Sequence, residues 1–507
     1  MRMRTMNKSD HHSSHELLRL TSGTQLMMAG EFISMGLLYS TSILISRFVG
    51  ADGYGLYFLA SVVAYIASLL GRFGLDYTVM RFSGYFRGKN QPNHEHSAVQ
   101  IAVFVTVMLS SVVAIVLYIL APLISTAIFN KPDMVKIVRW FAFMLPVSNL
   151  IPIFTSIFLA RGQVKDKIML ENILFPVVKF ILIALLFTIG FRMTGLMLAI
   201  AAATLAAVVV GSFRLQKQNR FAMLRPPLPI TGKLLRFGTP VLGEGLLSYI
   251  SAWAELLMLG YFAHANDVGV LGVIIRVTML VVFVQYTFNG IFSPIIAELH
   301  GRDNVPAISS LLKKQTLWSF SAALPLVMLF VGFSHDLMGI WGNAFVGGAI
   351  ALAIIAFGRL ADAAVGTVGM LLMMMGKPKV NTVNSLIILL IKIGAGWFLI
   401  PRYGLLGAAI LMAGANVLID VLRVIEVYYF FRIHPFSSNF LKPLLAVMIG
   451  ALVTWLWHIS LSQFLPHVVM VATSGVVFLF VYLVALLKLD IDLMAFFPKW
   501  RQVEAIG

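Results

Sequence analysis

Six cations stand where a cation is costly. Lys179, Lys392, Arg276, Arg359, Arg72 and Arg81 each lie within, or at the edge of, a long apolar stretch of the chain. At membrane depth an ionisable side chain costs about 2.5–3.5 kcal/mol on insertion scales, so it is kept facing a cavity or a partner. Guanidinium offers two parallel N–H bonds and ammonium a compact charge, and both suit phosphate, pyrophosphate or carboxylate. The chemistry expected of this set is anion binding, with no catalytic side chain. The deepest acids are Glu31, Glu244 and Glu255, with Asp362 beside Arg359. Glu244 and Glu255 are about three helical turns apart and so fall on one face of a helix. Two roles stay open for these acids: countering the cations, or binding a coupling ion.

Blander readings stand beside these. Arg359 and Asp362 are one turn apart and could neutralise each other. Asp420, Arg423 and Glu426 form a similar internal set, for which a structural role is favoured. Arg72, Arg81 and Asp76 could equally snorkel to the membrane surface. Lys179, Lys392 and Arg276 have no carboxylate one turn away, and for these a cavity-facing role is expected. No enzymatic constellation emerges. His11, His12 and His15 lie in a polar tail, and His94 and His96 flank Glu95 in what reads as a solvated turn. There is no phosphate-cradling Gly-Lys-Ser/Thr loop. The absence of cysteine excludes disulfides and thiolate metal sites. The methionine run 373–375 reads as packing. Neither cofactor nor metal is expected.

The elements that must position these charges are membrane helices. Of 507 residues, 59% are hydrophobic and 12% charged, the latter about half the share of a soluble domain. The apolar residues recur as continuous blocks of about 20, each long enough to cross a hydrocarbon core. Barrel strands would be shorter and alternating, and a helix satisfies its own backbone in lipid. The pattern predicts an all-α integral membrane protein with about fourteen transmembrane helices, at roughly 23–47, 55–80, 98–121, 137–160, 168–190, 194–213, 236–262, 269–296, 311–333, 346–375, 381–400, 404–430, 440–460 and 468–487. Turns such as Gly50-Ala-Asp-Gly53 and Asn130-Lys-Pro-Asp133 separate them.

The net charge of +17 sits mainly in loops after even-numbered helices, among them Arg87, Lys89, Arg161, Lys165, Lys377 and Lys379. That is the positive-inside bias, and it argues against nucleic acid and for both termini in the cytoplasm. The cluster Lys131, Lys136 and Arg139 is the exception and reads as a short outward interfacial segment. Internal echoes recur at a period of roughly 210 residues, far beyond a solenoid's. Arg161-Gly-Gln-Val-Lys165 matches Met375-Gly-Lys-Pro-Lys379, and Thr194-Gly-Leu matches Tyr403-Gly-Leu. Lys179 and Lys392 follow their landmark glycines, Gly162 and Gly376, at similar distances, and are expected to meet one cavity from opposite halves. The division expected is a tail at 1–22, an N-lobe of six helices at 23–213, a basic amphipathic linker at 214–236, a C-lobe of six helices at 237–432, two further helices at 433–487 and a tail at 488–507. Parallel six-helix repeats are built to rock about a central site.

The stretch Ile45-Ser-Arg-Phe-Val-Gly-Ala-Asp-Gly-Tyr-Gly-Leu-Tyr57, then Gly71-Arg-Phe-Gly-Leu-Asp76, Val79-Met-Arg-Phe82 and Arg87-Gly-Lys89, resembles the polysaccharide transporters of the multidrug/oligosaccharidyl-lipid/polysaccharide exporter superfamily. The likeness covers nearly the whole chain and is most specific at its N-terminal end. It implies a monomeric flippase of the cytoplasmic (inner) membrane that moves a polyprenyl-pyrophosphate-linked oligosaccharide by alternating access, for O-antigen or exopolysaccharide. Its partners would be that lipid-linked glycan, membrane lipids and polysaccharide assembly proteins. Rivals are a drug/cation antiporter of the same superfamily, a peptidoglycan-precursor flippase and, from another class, a membrane-embedded glycan polymerase or ligase.

Overall fold

A computed structural model describes residues 8–217, 230–461 and 467–489. All regular structure among them is helical. The first part of the chain forms α1 (Lys8–Arg72), α2 (Leu75–Gly88), α3 (Pro92–Pro122), α4 (Met134–Ser148), α5 (Leu150–Ala160), α6 (Val164–Lys167), α7 (Phe175–Thr188) and α8 (Met193–Lys217). The rest forms α9 (Thr231–Phe262), α10 (Ala265–Gly301), α11 (Val305–Gly332), α12 (Ser334–Trp341), α13 (Ala349–Val365), α14 (Val368–Met374), α15 (Pro378–Phe431), α16 (Leu441–Leu461) and α17 (His467–Lys488).

Among the described residues twelve stretches are long and apolar enough to cross a membrane. Two are exceptional: Ala29–Gly88 has 60 residues and Pro378–Phe431 has 54. At about 1.5 Å per residue each has the length of two crossings. Each is also broken by a glycine no other residue readily replaces, Gly50 (φ 77°, ψ 175°) and Gly404 (φ 53°, ψ −125°). Both breaks fall at turns expected from sequence, and the figure of about fourteen counts each stretch twice.

The chain divides into two compact units, Met1–Trp253 and Ala254–Gly507. The boundary falls inside α9. Residues 218–229 of the expected basic linker, the first seven residues and the C-terminal tail from 490 lie outside the described residues. In the first unit Leu75, Val79 and Phe86 of α2 interlock with Ile153, Phe154, Ile157 and Phe158 of α5, and with Ala207 and Leu215 of α8. In the second, Phe320 and Leu324 of α11 hold Ala446 of α16 and Phe478 and Tyr482 of α17. The Tyr482 hydroxyl donates to the Ser321 carbonyl at 2.7 Å. Large apolar side chains also cover the outside, such as Phe104, Ile119, Val209 and Phe480, each about two-thirds exposed. A contiguous apolar exterior of that kind belongs in lipid.

Two π-helical segments interrupt the ladder, Leu123–Ile128 after Pro122 and Ile168–Leu174 before Pro176. A proline has no N–H to give the carbonyl four residues back, and the wider turn accommodates the loss. The landmark glycines of the internal echo share one conformation, Gly162 at φ 71° and Gly376 at φ 82°. Each is followed by a backbone N–H that reaches back five residues, Gln163 to Phe158 and Lys377 to Leu372, both at 2.8 Å. That is a Schellman cap.

Candidate functional site

In the first unit the site is built on a helix break. Phe73 (φ 51°) and Gly74 (φ 67°) both take the left-handed conformation, which ends α1 and starts α2. The space is tight: a Cβ at Gly74 would meet the Gly238 carbonyl of α9. Arg72 and Asp76 flank the break and pair across it, Nη1 to Oδ2 at 3.0 Å. Arg72 is 4% exposed, so it does not snorkel outward. Its guanidinium lies 5.3 Å from the Tyr65 ring centre, and Tyr65 stacks at 4.5 Å on Tyr249 of α9. Tyr249, Trp253 and Phe58 continue the aromatic row. Arg72 Nε and Nη2 are buried with no hydrogen-bond partner. Next to it, Asn149 ties three helices, accepting from Ser68 Oγ at 2.5 Å and donating to Ser110 Oγ at 2.7 Å.

In the second unit a cavity of about 320 Å³ opens between α10, α13, α14 and α15. Its polar lining is Gln285, Arg359, Asp362, Thr367, Asn381 and Arg423. Asp362 lines it together with both arginines, and Asp420 is buried close to Arg423. Nε of Arg359, Nε of Arg423 and Oδ1 of Asn381 have no hydrogen-bond partner.

The structure sorts the sequence candidates. Arg359 and Asp362 share the cavity, and Arg423, expected to be structural, lines it with them. Its expected set divides: Arg423 Nη1 lies 3.8 Å from Asp420, whereas Glu426 accepts from Asn384 Nδ2 at 2.6 Å. Lys392 has an acidic partner: its ammonium sits 2.9 Å from Glu255, which is fully buried, in keeping with the countering role left open for that acid. Spacing along one helix could not reveal that partner, which comes from another helix. Lys179 is half-buried in the first unit with its ammonium 5.3 Å from the Phe175 ring centre. The two lysines therefore have unlike surroundings despite matching landmarks. Arg81 is exposed and lies over Phe237 at 4.3 Å. Arg276 is half-buried on α10. Glu244 is exposed whereas Glu255 is buried, so three turns of spacing do not give them one environment. Glu31 is half-exposed and faces Lys167 at 3.5 Å, which also reaches Glu171 at 3.6 Å and Asn172 at 3.1 Å.

One reading of a loop is overturned. Glu95 is not in a solvated turn. It lies in the first turn of α3, 6% exposed, accepting from Arg161 Nε at 2.9 Å and from Ser83 Oγ at 3.1 Å. An unpaired arginine buried there would be costly, and the first turn of a helix favours a carboxylate. The cluster at 131–139 is partly buried too: Lys131 donates to the Phe129 carbonyl at 3.1 Å, and Arg139 lies over Tyr118 at 4.9 Å.

Apolar helices with an apolar exterior, and buried charge pairs among them, define a multi-pass membrane protein. Comparison with known proteins agrees. The family model described as "Polysaccharide biosynthesis protein" matches residues 20–300, and the chain belongs to that family. It is 22% identical over 444 residues to "Stage V sporulation protein B" of Bacillus subtilis (strain 168), covering 80% of this chain and 83% of that one. Among solved structures it is similar to "Lipid II flippase MurJ, inward closed conformation", with TM-score 0.71, 13% identity, and coverage of 94% of this chain and 100% of that one. It is also similar to an inward-facing "multidrug resistance MATE family transporter of the MOP superfamily", with TM-score 0.64, 14% identity, and coverage of 79% and 94%. The fold expected from the N-terminal resemblance is thus the one observed.

Proposed function

We propose that this protein is a flippase that carries a polyprenyl-pyrophosphate-linked oligosaccharide across the cytoplasmic membrane for cell-surface polysaccharide synthesis. Each of the two long apolar stretches crosses twice in this reading, which gives fourteen spans with both termini in the cytoplasm. One observation carries it: guanidinium N–H groups of Arg72, Arg359 and Arg423 are buried with no hydrogen-bond partner, inside stretches apolar enough to cross a membrane. In hydrocarbon each unsatisfied polar group costs several kcal/mol, so such donors are kept for water or for a polar cargo. A lipid-linked glycan supplies many oxygen acceptors and an anionic link. Membership of a polysaccharide biosynthesis family supports the same cargo class, and the structurally similar lipid II flippase MurJ performs an analogous task.

Reconstitution tests it. Purified protein in vesicles is loaded with a polyprenyl-pyrophosphate oligosaccharide bearing a fluorescent sugar, and an impermeant quencher is added outside. Time-dependent transfer of the label between protected and quenchable pools, faster than in protein-free vesicles, supports the reading. Equal rates overturn it. Transfer of cationic drugs and no glycan would assign the antiporter role instead.

A further inference from the structure

The two arms of α15 enclose a groove at the ends of the helix. α15 folds back at Gly404, so its first turns lie beside its last. Asn384 Nδ2 donates to Glu426 at 2.6 Å, and the Lys377 ammonium lies 4.8 Å from the Phe430 ring centre. Each arm runs about 40 Å at 1.5 Å per residue, enough to cross a hydrocarbon core of about 30 Å. The groove between the arms holds about 440 Å³, with apolar walls of Val380, Val383, Ile425, Tyr429 and Phe430. Two charged side chains line it, Lys379 and Glu426. Among the described residues neither has an ion-pair partner. Of the other charges on these turns, Lys377 and Arg432 lie against the Phe430 and Tyr428 rings, and Arg423 lines the cavity described above, 3.8 Å from Asp420. Glu426 is held in place by Asn384, which is 4% exposed.

Apolar ridges lead away from this charged mouth. Val383, Leu386 and Leu390 run down the first arm, and Ile425, Val421 and Val417 down the second, all of them exposed. Steps of three and four residues keep each row on one helical face. One cation, one anion and two exposed apolar rows match a zwitterionic head followed by two chains. We propose that the groove binds a phospholipid that carries a primary amine, a phosphatidylethanolamine. Lys379 donates to its phosphodiester, its ammonium donates to Glu426, and its acyl chains lie along the two ridges. Both polar contacts are charge-assisted. A choline head has no N–H to give Glu426, and an acidic head brings no cation to offset it. A carboxylate held beside an apolar groove at the membrane surface needs such a partner. The bound lipid bridges the two arms of α15 as a resident of the bilayer, whatever cargo the protein carries.

The test uses the full chain purified in detergent. Dioleoyl phosphatidylethanolamine, its monomethyl, dimethyl and trimethyl (choline) derivatives, and phosphatidylglycerol are added separately to the micelles. The readout is the lipid fraction that gives half the maximal rise in melting temperature, because a ligand of the folded state stabilises it by mass action. The parent is expected to need about tenfold less of the ethanolamine lipid than of the choline or glycerol lipid, with the requirement rising at each methylation. Lys379→Gln is expected to weaken the ethanolamine and choline lipids alike, since both carry the phosphodiester. Glu426→Gln is expected to erase the difference between those two. Arg302→Gln, an exposed cation outside the groove, changes neither. Size-exclusion profiles show that each variant is folded. Should Glu426→Gln fail to fold, the methylation series on the parent decides alone. An equal response across that series overturns the proposal, as does glycerol lipid binding as tightly as the ethanolamine lipid. Full preference in a folded Glu426→Gln, or parent-like binding in Lys379→Gln, overturns it too. No glycan is present in this measurement, so its outcome leaves the transport reading untouched.

Discussion

The Lys392 ammonium and a Glu255 carboxylate oxygen lie 2.9 Å apart, with Glu255 wholly shielded from solvent. The pair joins the last turns of α9 to the first half of α15, both within the second unit. Trp397, one turn beyond Lys392, rests on Tyr261 and Phe262 of α9, so the same crossing is apolar at one end and ionic in the middle. Breaking a buried pair strands one charge and costs about 3–5 kcal/mol, whereas replacing both partners by apolar residues is often neutral. Lys392→Ala and Glu255→Ala are each expected to lower the melting temperature in detergent sharply. The double variant Lys392→Met/Glu255→Leu is expected to recover most of it. Additive losses would show that the two charges do not interact.

Gly50 and Gly404 set the bends of the two long stretches. Their φ/ψ values fall where other residues are strained by about 1–3 kcal/mol. Gly50→Ala and Gly404→Ala are expected to lose stability in that range by thermal unfolding, although neither Cβ would touch a neighbour. Gly36 is the comparison, since it has equal space and ordinary helical geometry. There alanine is expected to gain up to about 1 kcal/mol through helix propensity. Stable alanine variants at 50 and 404 would mean the breaks are not fixed by these glycines.

Much of the fold is written in composition, because lipid forces each apolar block into a helix that satisfies itself. The turns at Gly50 and Gly404 and the capped glycines Gly162 and Gly376 are legible for the same reason: a special backbone conformation demands a special residue. Charge partners are not legible in that way. Arg359 and Asp362 were readable as neighbours because one helix holds both. Glu255 with Lys392, Glu95 with Arg161, and Arg423 beside Asp362 come from different helices, and only tertiary packing brings them together. Arg161 shows the limit of counting cations in loops. It adds to the inward bias, yet it is 6% exposed and ion-paired, so its position is set by Glu95 as well as by the membrane.

The Glu95 cluster gives a graded series. Arg161 Nε donates to Glu95, which also accepts from Ser83. Removing Ser83 Oγ deletes one neutral donor to a carboxylate, worth about 1.5–3 kcal/mol for a hydrogen bond to a charged group. Removing the carboxylate strands Arg161, whose Nη1 and Nη2 already lack partners. Glu95→Ala is therefore expected to destabilise more than Ser83→Ala, with Glu95→Gln between them. Melting temperatures in detergent decide the order. A Glu95→Ala variant as stable as the parent would mean the cluster is hydrated and energetically slack.

Topology is open to a direct test because the chain has no cysteine, so single cysteines need no background removal. If Ala29–Gly88 and Pro378–Phe431 each cross twice, their middles and ends lie on opposite sides. Asp52 and Arg402 sit at the two breaks, and Lys89, Lys377 and Arg432 flank the stretches; all five are exposed. An impermeant maleimide applied to intact cells is expected to label Asp52→Cys and Arg402→Cys. Lys89→Cys, Lys377→Cys and Arg432→Cys are expected to react only after permeabilisation. The positive-inside bias makes the same assignment independently, since the flanks carry the lysines and arginines while the breaks carry few. Labelling of Asp52→Cys and Lys89→Cys from one side would make the first stretch a single crossing with an interfacial arm. The same outcome for Arg402→Cys and Lys377→Cys would do so for the second. Either result would leave fewer than fourteen crossings, against the two six-helix lobes expected from sequence.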